Sequence, residues 1–231
     1  MQANPTRPAD PPLQIIYQDA GLLVVNKPSG LLSVPGKGPA KQDCLWSRLF
    51  KTHPSALVVH RLDQATSGLM VFALNPDMQR KLSMAFEARQ VHKQYLAWVE
   101  GRVEVSDAWQ TINLPILLDW PNRPLHIIDP LGKPSVTLWR CIQHHPHLPG
   151  SLLLLQPQTG RSHQLRVHLK AIGHPIWGDA LYAPPAVLAR SARLMLHATE
   201  LGLLNPQMNI SQRWTCEPEW PDPSHEMHAS P

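Results

Sequence analysis

The sequence predicts an α+β fold, a mixed α/β domain built on a large sheet. Short apolar runs of strand length recur along the 231 residues, each bounded by Gly, Pro, Asn or Asp. Only a few stretches carry apolar residues on a helical period. The length suits one generous domain with a core of its own.

Taken in order, 13–19 (LQIIYQD) and 22–30 (LLVVNKPSG) read as strands, the second stopped by Pro28, Ser29 and Gly30. Residues 44–51 fit a short helix. Residues 55–63 (SALVVHRLD) and 67–75 (SGLMVFALN) are strand-length apolar runs joined by a polar loop. Asn75, Pro76 and Asp77 supply a cap, an N1 proline and a first-turn acid. The helix that follows carries Met78, Leu82, Ala85, Phe86 and Arg89 on helical spacing. Residues 92–101 alternate as a strand, with Lys93, Tyr95, Ala97 and Val99 on one face. Residues 136–142 and 151–158 read as further strands. Ser162 is placed to cap a helix over 163–172 that Gly173 ends, with Leu165, Leu169 and Ile172 as its core stripe. The connection 119–135, rich in Pro, Asp and Gly, is long for a structureless segment, as functional loops often are.

Two ends stand apart. Residues 1–12 form a Pro-rich arm and 217–231 an acidic, Pro-rich tail, leaving 13–216 as the folded body. Net charge is +4, but all 21 Lys and Arg lie in residues 1–216, against 13 acids there. A basic body beside an acidic tail fits a polyanionic partner, or ordinary solubility. There is no run of eighteen apolar residues and no apolar core in the N-terminal dozen, so neither a membrane span nor a secretory signal is expected. Cys44, Cys141 and Cys216 are odd in number and far apart, which argues for a reducing, cytoplasmic setting. Phosphate-binding glycine loops are missing, and the His144, His145, His147 cluster beside Cys141 reads as a loop around Pro146, so neither a cofactor nor a metal is expected.

Three segments hold chemistry-bearing residues. In 60–68, Asp63 ends an apolar run at the start of a polar turn; were 58–63 extended, Arg61 and Asp63 would point the same way. Such an aspartate is either a turn former or a site carboxylate. In 159–168, Arg161 precedes a helix, where its guanidinium either lies on the surface or meets Asp63 in a bidentate pair. Arg166 and Lys170, four apart, make a second helical stripe, suited to phosphates or simply solvated. In 92–101, Tyr95 lies beside Lys93 on one strand face.

Together and in this order, Arg61-Leu62-Asp63 with Thr66-Ser67-Gly68, then Lys93, Tyr95, Ala97, Val99 and Gly101, then Thr159-Gly160-Arg161 with His163-Gln164-Leu165-Arg166 and His168, resemble the three motifs of the RluA family of RNA pseudouridine synthases. The likeness spans about residues 15–215. It implies one catalytic domain with a large, mainly antiparallel sheet, flanking helices and a basic cleft. The implied reaction isomerises uridine in folded RNA to its C-glycoside and uses no cofactor. By resemblance Asp63 is the catalytic carboxylate, acting at C1′ as a nucleophile or on the ribose as a base. Arg161 is its cationic partner, Tyr95 stacks on the base and assists proton removal, and Leu165 lines the apolar wall. Arg61 enters the RNA in place of the extruded base. Arg123, Arg166 and Lys170 are candidates for phosphate contacts. The implied partners are stem-loops of 23S rRNA and tRNA, both or only one of them, with the protein a monomer. A non-catalytic RNA-binding protein is the more distant reading.

Overall fold

The computed structural model describes residues 13–220; the Pro-rich arm and most of the acidic tail lie outside them. The strands are β1 (Gln14–Gln18), β2 (Leu22–Lys27), β3 (Leu57–Val58), β4 (Ser67–Ala73), β5 (His92–Glu100), β6 (Gln110–Asn113), β7 (Ile116–Leu118), β8 (His126–Ile128), β9 (Val136–His144), β10 (Gly150–Pro157), β11 (Leu196–Asn205) and β12 (Ile210–Thr215). The helices are α1 (Leu45–Phe50), α2 (Pro76–Glu87), α3 (Gln164–Ala171) and α4 (Pro185–Leu188). Ten strands form one sheet in the order β1-β2-β4-β11-β5-β10-β9-β6, with β3 on β4 and β12 on β11. The sheet is antiparallel throughout except where β11 runs parallel to β4. This is the α+β fold expected, with a mainly antiparallel sheet.

The continuous apolar runs of β2 and β4 have a direct cause. Leu22, Val24, Leu69 and Val71 pack on one face with Met78 and Leu82 of α2. Leu23, Val25, Met70 and Phe72 pack on the other with Leu45 and Leu49 of α1. Strands covered on both faces lose the apolar–polar alternation. A third cluster joins Ala97 and Val99 of β5, Leu153 and Leu155 of β10, and Leu165 and Leu169 of α3. Asn75 caps α2 as expected, its Oδ1 accepting from the Met78 amide at 2.9 Å.

Two expectations need correction, and two features go beyond the sequence reading. The 55–63 run is strand only at Leu57–Val58; beyond it the chain leaves the sheet, and 59–66 is irregular. Ser162 does not cap α3: the N-cap is His163, in a left-handed conformation with φ 56°. The 119–135 segment, long for a structureless connection, does carry a strand, β8, which pairs with β7. Finally, β11 lies in the middle of the sheet although the sequence reading assigns no element there.

β11 holds the segment that begins at Ser67 in place. His197 pairs with Ser67 across the parallel contact, and Gly68 (φ 114°) is required there, since a Cβ would stand 2.3 Å from the Ala198 carbonyl. His197 Nε2 faces the Cys216 carbonyl at 3.0 Å, so Nε2 carries the proton and Nδ1 accepts from the Ser67 hydroxyl at 2.9 Å. The Ser67 oxygen in turn accepts from Arg193. Burial first, with Arg193 adding and the Cys216 bond opposing, lowers the His197 pKa to about 4.

The unfolded imidazole titrates near ~6.5. The neutral ring's stabilisation is therefore complete above that pH and is lost as pH falls toward 4. Urea unfolding between pH 7 and 4 is expected to show a falling midpoint. His197→Gln, which keeps one donor and one acceptor without titrating, should flatten that fall by about 3 kcal/mol.

Candidate active site

The loop between β3 and β4 carries Asp63, and the segment after β2 fixes it. Ser33 clamps Leu62 from both sides: its hydroxyl donates to the Leu62 carbonyl at 2.7 Å and accepts the Leu62 amide at 3.1 Å. The Gly30 amide and Lys27 Nζ both donate to the Gln64 carbonyl, at 2.9 and 3.1 Å. Ser29 donates to the Ala65 carbonyl at 2.7 Å. Lys27 is wholly buried, and its other Nζ bonds go to the Pro28 and Leu31 carbonyls. Burial draws its pKa down to about 7, with Asp63 opposing and Arg193 reinforcing the shift. Three carbonyls use all three N–H bonds of the charged form. The sequence reading gave Lys27 and Ser33 no role, and Ser29 only that of ending a strand. The available signal was a lysine at the end of a strand that opens on four apolar residues, where a buried charge needs dedicated partners.

Asp63 opens onto a cavity of about 330 Å³, within the range of small-ligand sites. Arg61, Lys93, Tyr95, Arg161, His163, Leu165 and Arg166 share its wall. Three distant segments are thus brought together. The two-residue period of β5 sets Lys93 and Tyr95 on the cavity side. The Tyr95 phenol is held well above its ordinary pKa by burial, with the Asp63 charge adding to it. His60 also lines the cavity and stacks on Phe86 at 4.4 Å, while its Nε2 accepts the Val71 amide at 3.1 Å.

The cation facing Asp63 is not Arg161. Arg166 Nη1 stands 3.7 Å from Asp63 Oδ2, and His163 Nε2 stands 3.8 Å from the same oxygen. Arg166 belongs to the helical position that turns inward, so it is not a surface phosphate contact: its side chain is 5% exposed. Its Nε and Nη2 form a bidentate pair with Asp179 at 2.9 and 2.6 Å, leaving Nη1 toward Asp63. Desolvation opposes the Arg166 charge, and Asp179 more than offsets it, so its pKa is raised. Arg161 lines the cavity without an ion pair to Asp63, and its Nε has no hydrogen-bond partner.

The other third-motif residues build the turn that aims Arg166. Gln164 Oε1 accepts from Thr159 Oγ1 and the Arg161 amide, and its Nε2 donates to Val136 O and Thr137 Oγ1. His168 Nε2 bonds the Leu114 carbonyl at 2.9 Å, so its Nδ1 accepts from the Thr137 hydroxyl. This latch pins α3 to β9.

The remaining predicted residues are peripheral. Arg61 is exposed at the rim, shared with a neighbouring groove that also contains Asp63, Pro124 and Leu181. Arg123 is exposed and lies over the Trp120 ring at 4.3 Å, one residue from that groove. Lys170 is exposed one turn beyond Arg166, its Nζ 5.8 Å from the centre of the Tyr182 ring. Among the described residues no group of three or more His, Cys, Asp or Glu is placed to hold a metal. His144 bonds the Val103 carbonyl, and His145 Nδ1 accepts the His147 and Leu148 amides, so this cluster shapes a loop.

Comparison with known proteins gives the family and the fold. The family described as RNA pseudouridylate synthase matches residues 21–171. The dual-specificity RNA pseudouridine synthase RluA of Vibrio vulnificus is 48% identical over 204 residues, covering 87% of this chain and 81% of that protein. Its namesake in Escherichia coli is 45% identical over 204 residues, covering 88% and 92%. Among solved structures, human RNA pseudouridylate synthase domain containing 1 superposes with a TM-score of 0.74 at 28% identity, covering 95% of this chain and 96% of that one. The chain belongs to the RluA family of RNA pseudouridine synthases, isomerases that act on uridine in RNA.

Proposed function

We propose that Asp63 is the catalytic carboxylate, that Arg166 is its cationic partner, and that the substrates are structured stem-loops of both 23S rRNA and tRNA. The observation that carries this reading is the Asp63 carboxylate, lodged in one cavity with Tyr95 and flanked by the buried Arg166. In the reaction the N1–C1′ bond breaks, the uracil turns, and C5 bonds to C1′. The proton leaves C5, and N1 gains one. Asp63 serves either by attacking C1′ or by taking a proton from C2′ and later returning it. Both routes use the carboxylate in its ionised form, and Arg166 stands beside it as a cation. Because Asp179 holds Arg166 through Nε and Nη2, the guanidinium meets Asp63 through Nη1 alone and leaves the oxygen open.

A base inside a helix is out of reach, so the target nucleotide must be extruded. Tyr95 provides a neutral aromatic face for it and Leu165 an apolar wall. Arg161, whose Nε lacks a protein partner, is left to meet the substrate. Arg61, exposed at the rim, is suited to fill the vacated place in the RNA, since its planar guanidinium both stacks and pairs. Arg123 and Lys170 are exposed for phosphate contacts; Arg166 is withdrawn from that role. Dual specificity is the property printed in the names of the bacterial relatives, and one cavity can serve two RNAs if it reads loop shape more than sequence. Residues 13–216 would form the catalytic unit of a cytoplasmic monomer.

Asp63→Asn is expected to abolish tritium release from RNA carrying 5-tritiated uridine while RNA affinity stays within about threefold of wild type; release assays and filter binding read the two. Arg61→Ala should slow release from a stem-loop substrate more than from an unstructured strand, because only the former pays for extrusion. An equal loss on both would remove Arg61 from that role. Mapping pseudouridine in rRNA and tRNA from a strain lacking the gene should show at least one site lost from each.

A further inference from the structure

We propose that His163 and Tyr182 are a positioning pair for Asp63, in which the Tyr182 hydroxyl fixes the imidazole so that its Nε2–H is aimed at Asp63 Oδ2. This rests on the reading of Asp63 as the catalytic carboxylate.

The direction of each bond follows from what its partner can do. The His126 backbone amide donates to the Tyr182 oxygen at 2.9 Å, so the phenolic hydrogen is left to point elsewhere. Its nearest acceptor is His163 Nδ1 at 2.6 Å. An imidazole that accepts at Nδ1 carries its proton on Nε2, and Nε2 is the atom 3.8 Å from Asp63 Oδ2. Tyr182 is buried, and burial foremost pushes its pKa up to about 12, so the hydroxyl remains a donor at neutral pH.

The groups facing His163 are Asp63 from the β3–β4 loop, Arg166 from its own helix, His126 from β8, and Asp179 and Tyr182 from the segment after α3. Desolvation lowers the His163 pKa; Asp63 opposes, Arg166 and His126 add, and Asp179 opposes. The ring is therefore neutral near pH 7, and it offers Asp63 a hydrogen without a second full charge. Its backbone also departs from the ordinary. His163 sits at φ 56°, a conformation uncommon outside glycine and held here by the Gln164 latch. That turn brings the ring over Asp63 instead of out to solvent.

Arg166 and His163 thus flank one carboxylate oxygen at nearly equal distances, 3.7 and 3.8 Å. Neither distance is a closed hydrogen bond. The carboxylate is steered from two sides and keeps its lone pairs for the ribose. A tyrosine far along the chain in sequence, in the 179–182 turn, is what selects which imidazole nitrogen bears the hydrogen.

The test uses full-length protein. Nitrogen-15 NMR of labelled histidine in wild type is expected to show His163 as the Nε2–H tautomer, and in Tyr182→Phe as a mixture of tautomers. In parallel, Tyr182→Phe should lower kcat for tritium release about tenfold with KM little changed. His163→Gln, which retains a donor, should keep more activity than His163→Ala. A wild-type Nδ1–H tautomer overturns the proposal, and so does a folded Tyr182→Phe with wild-type kcat. If Tyr182→Phe does not fold, the wild-type spectrum and the His163 pair of variants still decide. An unaffected Tyr182→Phe beside an inactive Asp63→Asn refutes this pairing alone, whereas release surviving Asp63→Asn refutes the assignment beneath it.

Discussion

A buried bidentate ion pair between Arg166 and Asp179 is the constraint on which the site depends. With Arg166 Nε and Nη2 committed to Asp179, the guanidinium plane is fixed and Nη1 has one direction left, toward Asp63. A lone arginine at this position would be free to collapse onto the carboxylate in a closed fork. Asp179 is itself held in the turn that follows α3, where its Oδ1 also accepts the Leu181 and Tyr182 amides. Removing either partner would strand a charge in a desolvated place, which is costly. The pair therefore fixes both the position of the cation and its distance from the Asp63 carboxylate.

The carboxylate is held by an independent set of contacts. Lys27, Ser29, Gly30 and Ser33 bind the backbone of residues 62–65, and Ser67 is tied through His197 to the Cys216 carbonyl. None of these bonds uses the Asp63 side chain. The loop is irregular, yet its backbone groups have dedicated partners, which is how a loop can carry a group that must be placed within fractions of an ångström. The Asp63 loop is anchored to the end of β2 and α3 to β9, and the two face each other across the cavity.

Much of this was legible in the sequence where a local rule and the tertiary environment agree. Asn75-Pro76-Asp77 marked the start of α2 because capping is a local matter. The alternation in β5 put Tyr95 and Lys93 on one face, and the three motifs identified the cavity wall. What stayed illegible was settled at longer range. Period alone gives two arginines near one helix start and cannot say which turns inward; that depends on Asp179, thirteen residues beyond Arg166. Ser162 looked like a cap, but the Gln164 side chain takes over the turn and drives His163 into the left-handed region. β11 escaped notice because His197, Thr199 and Glu200 interrupt its apolar pattern, each with a partner that a sequence does not display. The run 55–63 looked like a strand, yet only two of its residues find a neighbour.

The bond from His197 to the Cys216 carbonyl has a consequence for biogenesis. The Asp63 loop is made early, but His197, on the strand beside it, lies 130 residues after Ser67, and the carbonyl that orients His197 lies another 19 residues on. On a translating ribosome β2 and β4 can pair early, while Ser67 must wait for residues 197 and 216 to emerge. Competence thus waits for those residues, so a nascent polypeptide that stops short of them holds the motif without the scaffold that sets it.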